Sequence, residues 1–208
     1  RDCLLSRGLG DVYKRQGNQE MARVRKGEIT FYNLDGDEIE KELKTVEWDA
    51  EAAEKAGYEH FMIKEIHEQP KAVSDTLNSV VKDGAIDLSE VGLSEEEIKE
   101  ISQIYIVACG SAYHVGVAAQ YVMEDLARIP VRVELASEFR YRNPILDPKG
   151  LVIIISQSGE TADSLAALRE SKKQGVKTLG IVNVIGSSIA READNVFYTL
   201  CLLYTSPS

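Results

Sequence analysis

Six consecutive residues, Ser156-Gln157-Ser158-Gly159-Glu160-Thr161, set three hydroxyls, an amide and a carboxylate around one glycine. The apolar stretch 151–155 runs straight into them, and a helical pattern begins straight after them. Strand, small polar loop and helix start, in that order, make an anion cradle that needs no lysine. The first N–H groups of the helix have no partner within it, and the positive end of its dipole adds to their attraction. Ser156, Ser158 and Thr161 add hydroxyl donors, and Gly159 lets a ligand approach the backbone closely. Taken alone, one such loop is equally an ordinary helix cap.

A second loop of the same character, Cys109-Gly110-Ser111-Ala112-Tyr113-His114, follows the apolar run 104–108 and again opens a helix. Neither loop carries Lys or Arg, so backbone amides and hydroxyls would hold the anion. Two such loops in one domain favour a small phosphorylated ligand over two unrelated caps. There is no G-x-x-x-x-G-K-[ST] and no G-x-G-x-x-G after a strand, which disfavours ATP, GTP and NAD. Cys109 has no histidine placed to activate it, so a small residue packed at the loop base is its plainer role. Glu160 and Asp163 are expected in the first helical turn, where they suit the helix dipole better than acid–base catalysis. Gly186-Ser187-Ser188 reads most simply as a further helix cap, and 137–142 (SEFRYR) as a solvated or subunit-facing helix.

Alternating strands and helices must position these loops. Five short apolar runs, 104–108, 131–135, 151–155, 178–182 and 195–199, have the composition of strands covered on both faces, as in a parallel sheet. Helical patterns at 111–127, 160–173 and 187–192 separate them. The expected fold is α/β, a doubly wound five-stranded parallel sheet. In the common order 2-1-3-4-5 the first and third strands are neighbours, and ligands bind in the crevice outside their carboxyl ends. Both loops lie there.

Upstream, 21–43 reads as a β-hairpin turning at Asp35-Gly36, too small to bury a core alone. An acidic connector with Trp48 follows, and Asp49 is placed to cap a short helix ending at Gly57. Around 61–81 the pattern predicts two helices meeting at Pro70, with Val73, Leu77, Val80 and Val81 forming one apolar stripe. Ser94 with Glu97 matches a capping box. The segments 1–16 and 201–208 show no helical or strand period and resemble translated adapter or assembly scars; they are set aside from the fold.

The chain of 208 residues carries a formal net charge of −10, and 17–200 alone is more acidic still. An acidic body without a basic stripe argues against a nucleic-acid partner. No apolar run nears the roughly 20 residues of a membrane helix, so no membrane association is expected. Cys3 and Cys201 fall in the set-aside ends, leaving Cys109 without a disulfide partner. His60, His67 and His114 have no zinc-like spacing, so neither a metal nor a cofactor is expected, and a reducing cytoplasm is the natural setting.

The run Ser156 to Thr161 resembles the phosphosugar-binding loop of sugar isomerase (SIS) domains. Three further stretches, 64–70 (KEIHEQP), 108–114 (ACGSAYH) and 136–142 (ASEFRYR), narrow the likeness. In this order they are similar to the glutamine–fructose-6-phosphate aminotransferases (isomerizing), the glucosamine-6-phosphate synthases, over about 21–200. The resemblance implies a glutaminase domain that releases ammonia from glutamine, and two SIS domains that convert fructose 6-phosphate to glucosamine 6-phosphate. It divides the chain into a foreign end at 1–16, a glutaminase hairpin at 17–45, an interdomain linker at 46–100, the first SIS domain at 101–200 and a foreign end at 201–208.

The family's fructose 6-phosphate contacts fall on Cys109, Gly110 and Ser111, and on Ser156, Gln157, Ser158 and Thr161. Many members have a hydroxyl where this chain has Ala112. The glutaminase cysteine, Schiff-base lysine, isomerising glutamate and ring-opening histidine are implied to lie outside this chain. The expectation is therefore a fragment that binds sugar phosphate, holds no catalytic residue and meets glutamine only through the missing glutaminase domain. A homodimer is implied for the full-length protein. Two alternatives stand beside this reading. A non-catalytic sugar-phosphate-sensing SIS module predicts a helix-turn-helix before Gln103; the other is an SIS ketose isomerase or deglycase without glutaminase.

Overall fold

The computed structural model describes residues 12–13, 19–25, 28–41, 44–45, 55–199 and 201. The chain divides into two compact units, 1–61 and 62–208. In the first unit Val12–Tyr13 (β1) pairs antiparallel with Lys44–Thr45 (β5), a strand where the composition of 1–16 suggests none. Between them Met21–Arg25 (β2), Glu28–Tyr32 (β3) and Glu38–Ile39 (β4) form a three-stranded antiparallel sheet in that order. The predicted hairpin is thus β3–β4, with β2 added along its other edge. Its turn is closed by the Asn33 side chain, whose Oδ1 accepts from the Asp37 N–H at 2.8 Å, and Gly36 takes a φ of +86°. Trp48 and the helix expected after Asp49 lie outside the described residues.

The second unit begins within α1 (Phe61–Asn78), a single helix that passes through Pro70 rather than two helices meeting there. A proline ring lacks the N–H that would bond the Ile66 carbonyl and crowds that turn. Contacts in each half hold the helix together regardless. Lys64 and Glu65 are buried in the first half. In the second half the Thr76 hydroxyl lies 2.8 Å from the Ala72 carbonyl and also bonds the Thr199 carbonyl. The predicted apolar stripe does not form, because Val73 and Leu77 are exposed and the helix ends before Val80. Val81 instead opens a two-stranded hairpin, Val81–Lys82 (β6) with Ala85–Ile86 (β7), turning at Asp83-Gly84 with both residues at positive φ. This is the turn geometry that an Asp-Gly pair signals. The capping box at α2 (Glu95–Glu100) forms as expected, with Ser94 and Glu97 bonding each other's backbone N–H.

The core of the unit is a five-stranded sheet of Gln103–Ala108 (β8), Val131–Leu135 (β9), Gly150–Ser156 (β10), Lys177–Val182 (β11) and Asn195–Tyr198 (β12). Every pairing is parallel, and the order β12-β11-β10-β8-β9 is the expected 2-1-3-4-5 read from its other edge. Alternate residues feed two apolar layers, because successive side chains of a strand point to opposite faces. Tyr105, Val107, Val152 and Ile154 pack with Phe139, Leu168 and Ile189 on one face. Ile104, Ile106, Leu151 and Ile153 pack with Val91, Leu93 and Met123 on the other. Helix α3 (Ser111–Ala127) covers the second layer so closely that a Cβ on Gly116 would come within 2.8 Å of Ile106 Cγ2.

Between β9 and β10, the short α4 (Ala136–Phe139) covers only part of the solvated or subunit-facing helix expected over 137–142, and Glu138, Tyr141 and Arg142 are exposed. Ala136 and Phe139 are fully buried. On the first layer lie α5 (Ala162–Lys173), supplying Leu168, and α6 (Ser188–Glu192), supplying Ile189.

Candidate functional site

The two loops leave adjacent strands. β8 and β10 run parallel with Ile155 opposite Ala108, so Cys109 and Ser156 emerge side by side at the carboxyl edge of the sheet. The chain then turns into α3 after the first loop and into α5 after the second. These helices cover opposite faces, so the point between β8 and β10 is the topological switch where a crevice forms. A direct tie spans it: the wholly buried Ser164, in the first turn of α5, donates to Cys109 Sγ at 3.9 Å. Cys109 is half-buried and packs against the apolar layer at the base of the loop. His114 stands edge-on to Tyr113, with ring centroids 5.3 Å apart.

The first loop turns on Gly110, whose φ of +58° favours glycine, and leaves Gly110 and Ser111 open to solvent. The second loop is braced from inside. Ser156 is 4% exposed; its Oγ accepts from the Gly159 N–H at 3.1 Å and lies 3.1 Å from Thr161 Oγ1. Of the three hydroxyls predicted to donate to a ligand, Ser156 is thus engaged in shaping the loop. Ser158 Oγ accepts from the Glu160 N–H at 3.2 Å, which leaves its own hydrogen free to donate outward. Thr161 is the N-cap of α5 yet makes no side-chain bond to the helix, so no hydroxyl covers the first-turn amides. Gln157 is exposed at the loop tip.

Glu160 corrects the sequence reading. It precedes the N-cap rather than lying in the first turn, and its carboxylate accepts from the Ser188 N–H, at the start of α6, at 2.7 Å. Asp163 does lie in the first turn of α5, but it binds the Arg140 guanidinium at 2.6 Å. Arg140 is thereby a cation beside loops that have none, and the charged run after α4 was its signal. Ser187 caps α6 as expected, accepting from the Ala190 N–H at 3.4 Å.

Three features have no local sequence signal. The Asn183 N–H donates to the Gln157 carbonyl at 3.1 Å, and the Ile189 N–H to the Gly159 carbonyl at 3.0 Å. Gly159, at a φ of +64°, lies so close to Ser187 that an added Cβ would come within 2.0 Å of its hydroxyl. The β11–α6 connection therefore supports the second loop from behind. Among the described residues no cluster of His, Cys, Asp or Glu is arranged to hold a metal ion, and no helix is long and apolar enough to cross a membrane.

Residues 97–201 match the SIS domain family. The chain belongs to the SIS domain family. Within it, the chain is 53% identical over 190 residues to glutamine–fructose-6-phosphate aminotransferase [isomerizing] of Clostridium acetobutylicum, covering 91% of this chain and 31% of that relative. It is 54% identical over 183 residues to the enzyme of the same name from Caldanaerobacter subterraneus subsp. tengcongensis, covering 88% and 30%. The SIS chain also resembles the solved C-terminal domain of glucosamine-fructose-6-phosphate aminotransferase from Francisella tularensis. That likeness has a TM-score of 0.66 at 47% identity, covering 70% of this chain and 41% of that one. The chain spans about a third of the length of the curated relatives.

Proposed function

We propose that this chain is the sugar-phosphate-binding part of a glutamine-dependent aminotransferase that converts fructose 6-phosphate to glucosamine 6-phosphate, releasing glutamate. The observation that carries the reading is the convergence of two lysine-free loops at the switch point of a parallel sheet. On this reading the Ser158 hydroxyl, the uncapped amides after Thr161 and the backbone of Gln157 receive the phosphate. Cys109, Gly110 and Ser111 form the facing wall. Ser156 acts mainly by holding the loop in shape. The names of relatives more than half identical over nine-tenths of the chain support fructose 6-phosphate as the sugar. Glutamine and ammonia belong, in this proposal, to a glutaminase domain outside the chain.

A sensing module beside a DNA-binding domain is less well supported. Before β8 the described residues form the β2–β4 sheet, α1, the β6–β7 hairpin, a single 3-10 turn at Ser89–Val91 and the six-residue α2, with no two α-helices adjoining. A homodimer is our reading for the full-length protein; the exposed Val115, Tyr121, Val122 and Leu126 of α3 are consistent with a covered face there. The cytoplasmic setting rests on a body with Cys109 as its one cysteine and with no disulfide partner.

The test is Ser158→Ala in the full-length protein, with fructose 6-phosphate affinity measured by titration calorimetry. Loss of one hydrogen bond to a charged ligand predicts roughly ten- to hundredfold weaker binding. An unchanged affinity would remove the phosphate from this loop.

A further inference from the structure

We propose that Glu160 is a positioning residue of the sugar-phosphate loop, acting through the Ser188 N–H and touching no ligand. The inference rests on the reading of the 156–161 loop as the phosphate site. A carboxylate beside an anion cradle opposes anion binding least when its oxygens are turned away from the ligand. Here it is engaged: Glu160 turns toward α6, and its Oε1 accepts from the Ser188 N–H at 2.7 Å. That bond is one of three that tie the loop to the β11–α6 connection. The Gln157 carbonyl accepts from Asn183 and the Gly159 carbonyl from Ile189, so loop residues 157, 159 and 160 are all held from the same side.

The three ties divide the work. The two carbonyl bonds fix the backbone on either side of Ser158, and the Glu160 bond fixes the last residue before Thr161. Thr161 is the N-cap, and its hydroxyl bonds Ser156 Oγ at 3.1 Å and not the helix. The direction in which the first α5 amides face is therefore set on the inner side by Ser156 and on the α6 side by what holds Glu160. The Asp163–Arg140 pair anchors the same helix start to the segment after α4. The phosphate-facing turn is thus held by one carboxylate on each side, and each carboxylate is turned to a partner of its own.

The acceptor role needs an oxygen, not a charge, which separates it from a ligand contact or an acid–base role. Fructose 6-phosphate binding to the full-length protein is measured by titration calorimetry for Glu160→Ala, Glu160→Gln, Ser188→Pro and the Ser158→Ala control, with a thermal midpoint for each. Glu160→Ala is expected to bind about tenfold more weakly, and Glu160→Gln within about twofold of the parent, because its amide oxygen still accepts. Ser188 is the first residue of α6 and Ser187 before it is extended, so proline fits there and removes the same N–H donor. It should weaken binding about as much as Glu160→Ala, and the double variant should lose little more than either.

Equal loss in the Gln and Ala variants would overturn the proposal in favour of a direct role for the charge. Parent-like binding by Glu160→Ala or by Ser188→Pro, with Ser158→Ala weakened, would overturn the positioning role and leave the phosphate loop standing. Parent-like binding by Ser158→Ala would remove the loop reading itself. Either of Glu160→Ala and Ser188→Pro suffices for the decision if the other does not fold.

Discussion

Replacing Gly159 by alanine places a methyl group where the structure has no room and the backbone has no preference for it. The φ of +64° lies in the left-handed region, which costs a residue with a Cβ about 1–2 kcal/mol. The new Cβ would stand 2.0 Å from Ser187 Oγ and 2.5 Å from its Cβ, far inside contact distance. Ser187 cannot easily yield: it is fully buried and caps α6, and Ile189 two residues on is bonded to the Gly159 carbonyl. Forcing an extra methyl into such packing costs a further ~1–3 kcal/mol. The sum, about 2–5 kcal/mol, is a large part of a domain's stability of about 5–15 kcal/mol. In urea unfolding of the 208-residue chain followed by circular dichroism, the midpoint should fall by about 1–2.5 M. Adding Ser187→Gly removes the collision and should recover the packing share while leaving the left-handed share. A Gly159→Ala midpoint within about 0.3 M of the parent would refute the reasoning, as would a double variant no more stable than the single one.

Two further outcomes bear on the scaffold. Glu97 has its carboxyl pKa lowered from 4.5 to about 2, first by the hydrogen bond from Lys177 and then by the bonds from Ser94. A lowered folded-state pKa gives stability that is present above about pH 4.5 and lost as the pH falls toward 2. Glu97→Gln should therefore flatten the acid limb of a stability–pH profile in that window, and an unaltered limb would count against the tie. Thr178, fully buried, donates to Asp194 Oδ2 at 2.7 Å and accepts from the Asp194 N–H at 3.0 Å. Thr178→Val keeps the shape but strands these groups, and should cost about 1–3 kcal/mol in the same urea assay.

What the sequence discloses is whatever is encoded by neighbours along the chain. The continuous apolar run of β10 and the Ser94–Glu97 spacing each carry their geometry locally, so strand and cap were legible. The Asp83-Gly84 turn was equally legible, but the helical spacing of Val80 and Val81 with Val73 obscured it. Pro70 misled for a different reason, since a proline's local cost was met by contacts of α1 with distant residues such as Thr199. The 156–161 loop shows both cases. Its hydroxyls, glycine and position after a strand can be read directly, whereas the supports from Asn183, Ser187, Ser188 and Ile189 come from another strand–helix junction. Nothing about Glu160 in isolation reveals that its partner is the Ser188 N–H.

The pairing of β8 with β10 also bears on how the protein acquires its site. β8 and β9 are joined through α3 and can associate early, but β10 must pass over both and add to the opposite side of β8. Closing that longer connection is expected to be the slower step, because chain entropy is lost before the new contacts form. Until it closes, Cys109 to Ser111 form half a cradle facing water, and no partly folded species lacking β10 offers the complete set of donors. If the proposed function holds, a sugar phosphate stabilises only the finished fold. On the proposed function, its presence should retard unfolding and leave the rate of folding unchanged, a lock on the mature domain and not a guide to its assembly.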